Sequence, residues 1–373
     1  MNELRGKKAL VLGLNQEGYE VLKALAGLGA KAIGYGNITD GEWGNRTSQE
    51  PLPRSVQIFE SDEPPPEALQ VNVVVVASRQ KAYLPILEAL KSKGVQFYTP
   101  IQFVLQFSKV PIIAVTGTNG KSSVAKLTEL MLSKSGKSVL LAGGSFQPYS
   151  RLLTSKMKFD MAVFEVNSTT LAAETDFKPQ VAIVTNIVPS HFERHDSFQE
   201  YLRAKGKIFA KQTAEDLVVY NAENPYVVDM VKAAKSRRFP VYNAHLQEGV
   251  ESSPAGQCYY KKQAVYYCLP GKEPEIYSTL SWQVKGRHFI SNVLCALSAA
   301  RAMGADYDSI VAALDQFEGL PHRMKKCLEK DGLTFYDDSR SSNPAWRLLS
   351  ESTSSCSLSP EREEEGCSFT SRT

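Results

Sequence analysis

Short apolar runs alternate with segments of helical spacing along most of the chain. Buried strands of a parallel sheet are typically short apolar runs, whereas apolar residues at i, i+3 and i+4 indicate an amphipathic helix. Before Ser108, this pattern predicts helices starting near Tyr19 and Leu84 and strands at 8–14, 32–35, 73–77 and 95–98. Strand–helix alternation of this kind predicts an α/β fold, here with a Rossmann-like N-terminal domain over residues 1–108.

A second alternating series begins at Val110 and predicts a larger central domain over residues 109–315. Strands are expected at 110–114, 161–165, 181–186 and 217–221, and helices at 124–132, 198–209 and 292–303. Residues 244–285 are irregular, with short alternating pieces that favour antiparallel strands. The central domain should therefore contain a mixed sheet.

The pattern changes again after residue 315. The apolar run at 333–338 predicts the first strand of a third, incomplete Rossmann-like domain within 316–349. Residues 350–373 are mostly Ser, Glu, Arg, Thr and Cys, and Leu358 and Phe369 are their only large apolar residues. Such a segment buries too little apolar surface to offset its ordering entropy, so a disordered tail is predicted.

A glycine-containing loop separates the first strand and first helix of the central domain. Strand, glycine loop and helix form a cradle in which backbone N–H groups and the helix N-terminus bind phosphate. The usual pattern has a glycine six residues before the lysine, and that position is Val115 here. The alternative, a plain turn before a surface lysine, is disfavoured by this context. The shortened loop reads Gly117, Thr118, Asn119, Gly120, Lys121, Ser122, Ser123.

Glu165 ends the predicted strand 161–165, which should neighbour the phosphate loop in a parallel sheet. A carboxylate at this place commonly holds the Mg²⁺ of a bound nucleotide. The alternative is an edge acid that faces water. We interpret Glu165 as a metal ligand, with the Ser122 hydroxyl as its partner.

The first strand of the chain also leads into a glycine turn, Gly13-x-Asn15-x-x-Gly18. It resembles a dinucleotide fingerprint whose middle glycine is replaced by Asn15. The next strand ends in Gly36-Asn37, without the acidic residue that would bind the ribose of NAD. NAD is therefore disfavoured as the ligand of this domain.

Composition excludes several classes of function. The net charge of +3 gives no argument for nucleic acid but is compatible with small anionic substrates. No apolar run approaches the roughly 18 residues of a membrane span, and no secretory segment is recognisable at the start. None of the six cysteines forms a Cys-x-x-Cys pair, so neither zinc nor a disulfide framework is expected. A cytoplasmic protein that acts without nucleic acid or membrane is expected.

Taken together, residues 8–346 resemble the Mur ligase family of cytoplasmic peptidoglycan-synthesis enzymes. The resemblance rests on the phosphate loop, on Thr185-Asn186-Ile187 with His191 and Arg194-His195, and on Tyr201-x-x-Ala204-Lys205. The segment 317–324, Phe-Glu-Gly-Leu-Pro-His-Arg-Met, is similar to the branch that adds D-glutamate. The resemblance implies a monomeric, ATP-dependent ligase that joins D-glutamate to UDP-N-acetylmuramoyl-L-alanine through an acyl phosphate.

The resemblance also implies roles for individual residues. Lys121, His191 and Lys205 would be catalytic, with Lys205 carbamylated by CO₂ so that it can ligate a cation. Two Mg²⁺ ions would be held by Ser122, Glu165, His191 and Lys205. The UDP part of the substrate would contact Asn15, Gln16 and Glu17. ATP would contact Gly117, Thr118, Asn119, Gly120, Lys121, Ser122, Ser123, Asn292, Arg323 and Asp338.

Three alternatives remain open from the sequence. Family members have a complete third domain, of which this sequence contains the start, as a truncated or frameshifted reading frame would produce. The chain could then be a catalytically impaired nucleotide-binding fragment. A folylpolyglutamate synthetase-like ligase shares the loop and the acyl-phosphate route but lacks a UDP-binding first domain. A simple P-loop kinase would leave His191 and Lys205 without roles.

Overall fold

The computed structural model contains three sheets and the helices that cover them. It describes residues 4–36, 51–61, 63–78, 83–189, 194–243, 253–284, 286–323, 325–330, 333–337 and 356–358. His191 and Asp338, two of the expected site residues, lie outside these ranges. No helix in these ranges is both long and apolar enough to cross a membrane.

The first sheet has five parallel strands in the order β3-β2-β1-β4-β5. Its strands are β1 (Lys8–Leu12), β2 (Lys31–Tyr35), β3 (Val56–Phe59), β4 (Val73–Val76) and β5 (Gln96–Tyr98). Helices α1 (Gln16–Gly27), α2 (Leu84–Lys91) and α3 (Pro100–Phe107) accompany it, with a 3₁₀ turn at Pro66–Leu69. The four predicted strands and both predicted helices are present, whereas β3 and α3 were not predicted. β3 lies at the sheet edge and buries none of its residues, so it lacks the apolar run of a central strand.

The second sheet has nine strands in the order β14-β13-β12-β11-β10-β9-β6-β8-β7. The strands from β7 to β12 pair in parallel, and β12, β13 and β14 pair antiparallel. This is the mixed sheet that the sequence predicts. Its strands are β6 (Ile112–Thr116), β7 (Val139–Ala142), β8 (Met161–Glu165), β9 (Val181–Val184), β10 (Leu217–Asn221), β11 (Arg237–Tyr242), β12 (Gln257–Lys261), β13 (Ala264–Cys268) and β14 (Glu275–Ser278).

Helices cover both faces of the nine-stranded sheet and give the central domain its two apolar cores. One core joins the sheet to α4, α9 and α10, and the other joins it to α3, α6, α7 and α8. The helices are α4 (Lys121–Lys134), α5 (Arg151–Thr154), α6 (Ser168–Ala173), α7 (Phe198–Gly206), α8 (Pro225–Val231), α9 (Arg287–Ala302) and α10 (Tyr307–Gln316). A parallel sheet covered on both faces has buried, apolar strands, and β6, β8, β9 and β10 were predicted from such runs. The parallel strands β7 and β11 were not predicted.

The third sheet is small. β15 (Lys325–Lys330) and β16 (Leu333–Asp337) form an antiparallel pair, and β17 (Cys356–Leu358) pairs with β16 in parallel. β15 was not predicted, because its sequence Lys-Lys-Cys-Leu-Glu-Lys has no apolar run. A disordered tail was predicted for residues 350–373, whereas the structure has the strand β17 there. β17 pairs with the edge of β16 that β15 leaves unpaired.

Candidate functional site

The candidate site lies where β8, β6 and β9, which are neighbours in the second sheet, reach their carboxyl ends. The phosphate loop follows β6, Glu165 ends β8, and Thr185 and Asn186 follow β9. Parallel register brings these ends together, with Val115 paired to Glu165 and Thr116 paired to Val184. Crevices at the carboxyl ends of such strands are the usual ligand sites of α/β folds.

The two glycines of the loop are required by their surroundings. Gly120 is the N-cap of α4 and has φ +81°, a left-handed conformation that favours glycine. A β-carbon there would overlap Asn292 Oδ1, and one at Gly117 would overlap Thr185 Oγ1. The loop therefore lies against side chains from two other elements, which fix its path.

Residues after β9 hold the loop in place through hydrogen bonds. Asn186 Oδ1 accepts from the Asn119 N–H at 2.9 Å, and Asn186 Nδ2 donates to the Asn119 carbonyl at 3.0 Å. Thr185 Oγ1 donates to the same carbonyl at 2.6 Å. Thr118 Oγ1 lies 2.8 Å from the hydroxyl of Tyr201 in α7. The sequence motifs contained Asn186 and Tyr201, but no role was predicted for either.

Lys121 folds back over the loop that precedes it. Its ammonium donates to the carbonyls of Gly117 at 3.1 Å and Thr118 at 2.9 Å. Burial lowers the pKa of Lys121, an effect that Glu165 opposes and Arg323 reinforces. A half-buried ammonium held by neutral carbonyls is poorly compensated, so an anion in the crevice would be attracted to it.

Lys205 reaches the same place from α7 and is 2% exposed. Its ammonium donates to the Gly117 carbonyl at 2.8 Å and lies 4.7 Å from the ring centre of Tyr201, one helical turn earlier. Burial lowers the pKa of Lys205 well below its ordinary value, and the charge of Lys121 adds to the effect while Glu165 opposes it. Lys121 and Lys205 thus share one carbonyl oxygen.

The charge of Glu165 raises the pKa values of both lysines and so opposes the effect of their burial. The residue is 7% exposed, and its Oε2 atom is buried without a hydrogen-bond partner among the described residues. Ser122, expected to share a metal with Glu165, is 4% exposed at the start of α4. An orphaned buried carboxylate oxygen beside a nucleotide loop fits a Mg²⁺ ligand. Within the described residues, no group of three or more His, Cys, Asp or Glu side chains is arranged so that it could hold a metal ion.

Arg323 and Asn292, expected at ATP, both lie against the loop. Arg323 Nη2 donates to Ser122 Oγ at 3.3 Å, which brings the segment after α10 to the start of α4. Asn292 is 5% exposed in the second turn of α9 and faces Gly120. The structure thus brings the expected phosphate, metal and adenine-side residues together wherever it describes them. Lys121 and Lys205 lie near Glu165, and Arg323 acts on Lys121 from the start of α4, so basic groups outnumber the carboxylate and the crevice favours a polyanion.

His195, which belongs to one of the motifs, is buried behind this crevice. Its Nε2 atom lies 2.8 Å from Ser168 Oγ, and its ring packs edge-on against Tyr201 at 5.4 Å. Its Nδ1 atom has no hydrogen-bond partner within the described ranges. His195 therefore links α6 to the helix that carries Lys205.

The three residues expected to contact UDP have different surroundings. Asn15 is the N-cap of α1: its Oδ1 accepts from the Gly18 N–H at 2.9 Å, and its Nδ2 donates to the Ala77 carbonyl at 3.1 Å. Gln16 is exposed. The Glu17 carboxylate accepts hydrogen bonds from residues 149 and 150 of the central domain. Its oxygens are thus used between the domains, and no sequence pattern predicted this contact.

The family description "Mur ligase middle domain" matches residues 115–300. UDP-N-acetylmuramoylalanine--D-glutamate ligase of Geotalea uraniireducens is 32% identical over 347 residues, covering 91% of this chain and 73% of that protein. The protein of the same name from Thermoanaerobacter pseudethanolicus is 31% identical over 344 residues, covering 92% and 74%.

Solved structures agree on the fold. A murein peptide ligase from Psychrobacter arcticus matches with a TM-score of 0.61 at 16% identity, covering 89% of this chain and 73% of that one. UDP-N-acetylmuramate-alanine ligase from Thermotoga maritima matches with a TM-score of 0.59 at 19% identity, covering 93% and 77%. At these identities the likeness extends to the multi-domain α/β architecture, which confirms the predicted fold class.

Proposed function

The chain belongs to the Mur ligase family, and from this premise we propose that it is an ATP-dependent ligase that joins D-glutamate to UDP-N-acetylmuramoyl-L-alanine in peptidoglycan synthesis. The two relatives described above carry the name of this activity. The observation that carries the proposal is the convergence of Lys121, Lys205 and Arg323 on a glycine loop beside Glu165. This arrangement suits a triphosphate and its metal.

ATP would bind with its phosphates along the loop. Phosphate oxygens would replace the Gly117 and Thr118 carbonyls as the partners of the Lys121 ammonium. Arg323 would turn from Ser122 to the phosphates, because its guanidinium is a planar donor that suits phosphate oxygens. Asn292, which lies against Gly120, would face the nucleoside.

Magnesium would be held by Glu165 and Ser122, with His191 and a modified Lys205 at a second position. Bound Mg²⁺ would neutralise charge on the transferred phosphoryl group. The unpartnered Glu165 Oε2 supports this assignment, because a bound metal ion would give this buried acceptor a partner. His191 and Asp338 lie outside the described residues and stay predictions.

Carbamylation of Lys205 is supported by its surroundings. The reaction needs the neutral amine, which attacks CO₂ and releases a proton to leave a negatively charged carbamate. Because burial and Lys121 lower the pKa of Lys205 well below its ordinary value, the neutral amine is populated at lower pH than in an exposed lysine. The product would place a carboxylate-like group beside Glu165, and a metal ion would balance both charges.

The proposed reaction has two steps. A carboxylate oxygen of UDP-N-acetylmuramoyl-L-alanine attacks the γ-phosphorus of ATP, and ADP leaves. The amine of D-glutamate then attacks the acyl carbon, and phosphate leaves as the amide forms. Both steps concentrate negative charge at the crevice, where Lys121 and Arg323 are already held by loop and helix contacts, so little reorganisation is needed.

The first domain would supply the UDP site at the turn after β1. Asn15 shapes the turn by capping α1, and Gln16 is exposed, so a ligand could contact its side chain. Glu17 does not suit a diphosphate directly, because its carboxylate is negative and already accepts hydrogen bonds. A monomer in the cytoplasm, where its nucleotide substrates would be, completes the proposal.

The test is phosphate release by the purified chain with ATP, Mg²⁺, UDP-N-acetylmuramoyl-L-alanine and D-glutamate, each omitted in turn. We expect release that requires all four and does not occur when L-glutamate replaces D-glutamate. Binding of an ATP analogue without any turnover would instead identify a nucleotide-binding protein. Turnover with a folate substrate and L-glutamate would assign the chain to the folylpolyglutamate synthetase-like alternative.

A further inference from the structure

A segment between β7 and α5 encloses Glu165 from two sides. Its turn is closed by the Gly143 N–H, which donates to the Gln147 carbonyl at 2.8 Å, and by the Phe146 N–H, which donates to the Gly143 carbonyl at 3.0 Å. A β-carbon at Gly144 would overlap the Glu165 carboxylate, so the side chain lies directly over this backbone. The segment therefore sets where the carboxylate can be.

Tyr149 restrains the main chain of Glu165. Its hydroxyl donates to the main-chain carbonyl of Glu165 at 2.7 Å, and its ring packs edge-on against Phe164 at 4.9 Å. Tyr149 is 8% exposed. A phenol that is buried and bonded in this way restrains the backbone of the residue whose carboxylate oxygen is unpartnered.

The first domain holds Tyr149 in turn. The Tyr149 N–H donates to Glu17 Oε2 at 2.7 Å, while the Ser150 N–H and hydroxyl donate to Glu17 Oε1 at 3.0 and 2.7 Å. Burial raises the pKa of Glu17, and the hydrogen bonds from Ser150 and Tyr149 oppose that rise. Glu17 lies in the first turn of α1, two residues beyond Asn15.

We propose that Tyr149 is a positioning residue for the Glu165 carboxylate, and that Glu17 anchors Tyr149 from the nucleotide turn of the first domain. The inference deepens the proposed function and rests on it, because it takes Glu165 as a metal ligand. Groups that orient a metal ligand commonly change metal affinity about 10–100-fold when they are removed. The path from turn to carboxylate runs Glu17, Tyr149 main chain, Tyr149 phenol, Glu165.

The decisive variant is Tyr149→Phe, which removes the phenol oxygen and keeps the ring against Phe164. The matched control is Tyr277→Phe, because the Tyr277 hydroxyl is also buried but donates to Glu275 at the far edge of the sheet. The measurement is Mn²⁺ binding to the full chain with a non-hydrolysable ATP analogue, followed by electron paramagnetic resonance. We expect Tyr149→Phe to raise the Mn²⁺ Kd about tenfold and Tyr277→Phe to leave it unchanged.

Glu17→Gln tests the anchor by a substitution in the first domain, so no residue of the central domain is changed. Its amide nitrogen would face the N–H or hydroxyl donors of residues 149 and 150, so the contact is weakened. The control is Glu20→Gln on the same helix, which loses an ion pair of 3.1 Å to Arg151 but does not contact Tyr149. We expect Glu17→Gln to weaken Mn²⁺ binding, Glu20→Gln to leave it unchanged, and Glu17→Gln with Tyr149→Phe to be less than additive.

A purely structural role would lower the thermal midpoint of unfolding in Tyr149→Phe without changing Mn²⁺ affinity. In turnover, positioning predicts a raised KM for Mg-ATP and an unchanged KM for D-glutamate. Wild-type Mn²⁺ affinity in both Tyr149→Phe and Glu17→Gln would overturn the inference while leaving the proposed function intact. Absence of Mn²⁺ binding to the wild-type protein would overturn both, since Glu165 would then hold no metal.

Discussion

Both α/β sheets of this protein contain a strand, a glycine turn and a helix, yet the two turns end differently. In the first, the Asn15 side chain caps α1 and Glu17 occupies the first helical turn. In the second, the N-cap is Gly120 in a left-handed conformation, and no described side chain caps α4. The first four N–H groups of a helix lack partners within it, so the second turn leaves donors for a phosphate that the first turn partly satisfies itself.

Charge sharpens the difference between the turns. Beside the second turn lie the ammonium groups of Lys121 and Lys205, whereas the first turn carries the Glu17 carboxylate. A triphosphate is therefore attracted to one turn and repelled from the carboxylate side of the other. The two units share the order strand, glycine turn and helix, but the residues that cap and flank each helix determine whether the turn can bind a phosphate.

Replacing Lys121 by Ala should have the largest effect, because it removes the cation that distinguishes the second turn. We expect turnover to fall about 10²–10³-fold, as for other preorganised charge contacts. Phosphate release and ATP-analogue titration measure it. The control is Lys126→Ala on the same helix, whose ammonium pairs with Glu129 at the surface. Wild-type turnover in Lys121→Ala would show that this cation is not what distinguishes the second turn from the first.

Lys205→Arg places a permanent cation at the second turn and cannot form the carbamate. If Lys205 is a metal ligand after modification, turnover should fall about 100-fold. Nuclear magnetic resonance with ¹³C-bicarbonate should show a carbamate signal in the wild type and none in the variant. Lys207→Arg, two residues on, is the control, because that ammonium donates to the carbonyls of Ala172 and Glu174.

The carbamate signal should also depend on pH in a defined direction. Its amount should rise with pH as the amine loses its proton, and the rise should begin below the pH at which an ordinary lysine titrates, because the pKa of Lys205 is lowered. A signal that appears only near the ordinary lysine pKa would contradict the role given to burial.

Gly120→Ala probes the conformation of the second turn. Gly136 offers a matched control with φ +78°, where a β-carbon would meet nothing within 4 Å. Both variants should lose about 1–2 kcal/mol from the left-handed backbone, and Gly120→Ala should lose more because its methyl group overlaps Asn292. Urea unfolding gives the two losses, and only Gly120→Ala should weaken ATP-analogue binding. Equal losses would show that Asn292 yields to the methyl group.

The sequence was informative wherever one short segment carried the signal. Apolar runs predicted four parallel strands of the second sheet but not Arg237–Tyr242, and the phosphate loop was predicted from its glycines, its lysine and the flanking elements. The half-exposed edge strand Val56–Phe59 and the charged strand Lys325–Lys330 lacked such runs and were missed. Of the site, the loop and Glu165 follow from the residues themselves, whereas the part given to Lys205 came from the family resemblance.

Contacts between distant segments were beyond any sequence pattern. Glu17 and Tyr149 are 132 positions apart, and nothing near Tyr149 marks it as different from a loop residue. The adjacent glycines Gly143 and Gly144 indicate an unusual backbone, but they do not indicate that the Glu165 carboxylate lies over it. Such contacts depend on how two sheets are placed against each other, which local propensity does not encode.

Asn15→Ala should have the smallest effect and tests the first turn alone. Loss of an N-cap side chain costs about 1 kcal/mol, since the Gly18 N–H loses its acceptor. The free energy of unfolding in urea measures this loss, and Gln16→Ala, at an exposed neighbour, is the control. ATP-analogue affinity should be unchanged, because the Asn15 side chain bonds Gly18 and Ala77 of its own domain, whereas residues 149 and 150 are held by Glu17. A large fall in ATP affinity with little loss of stability would mean that the two turns form one ligand site, and that the contrast between a self-capped turn and an open one does not describe this protein.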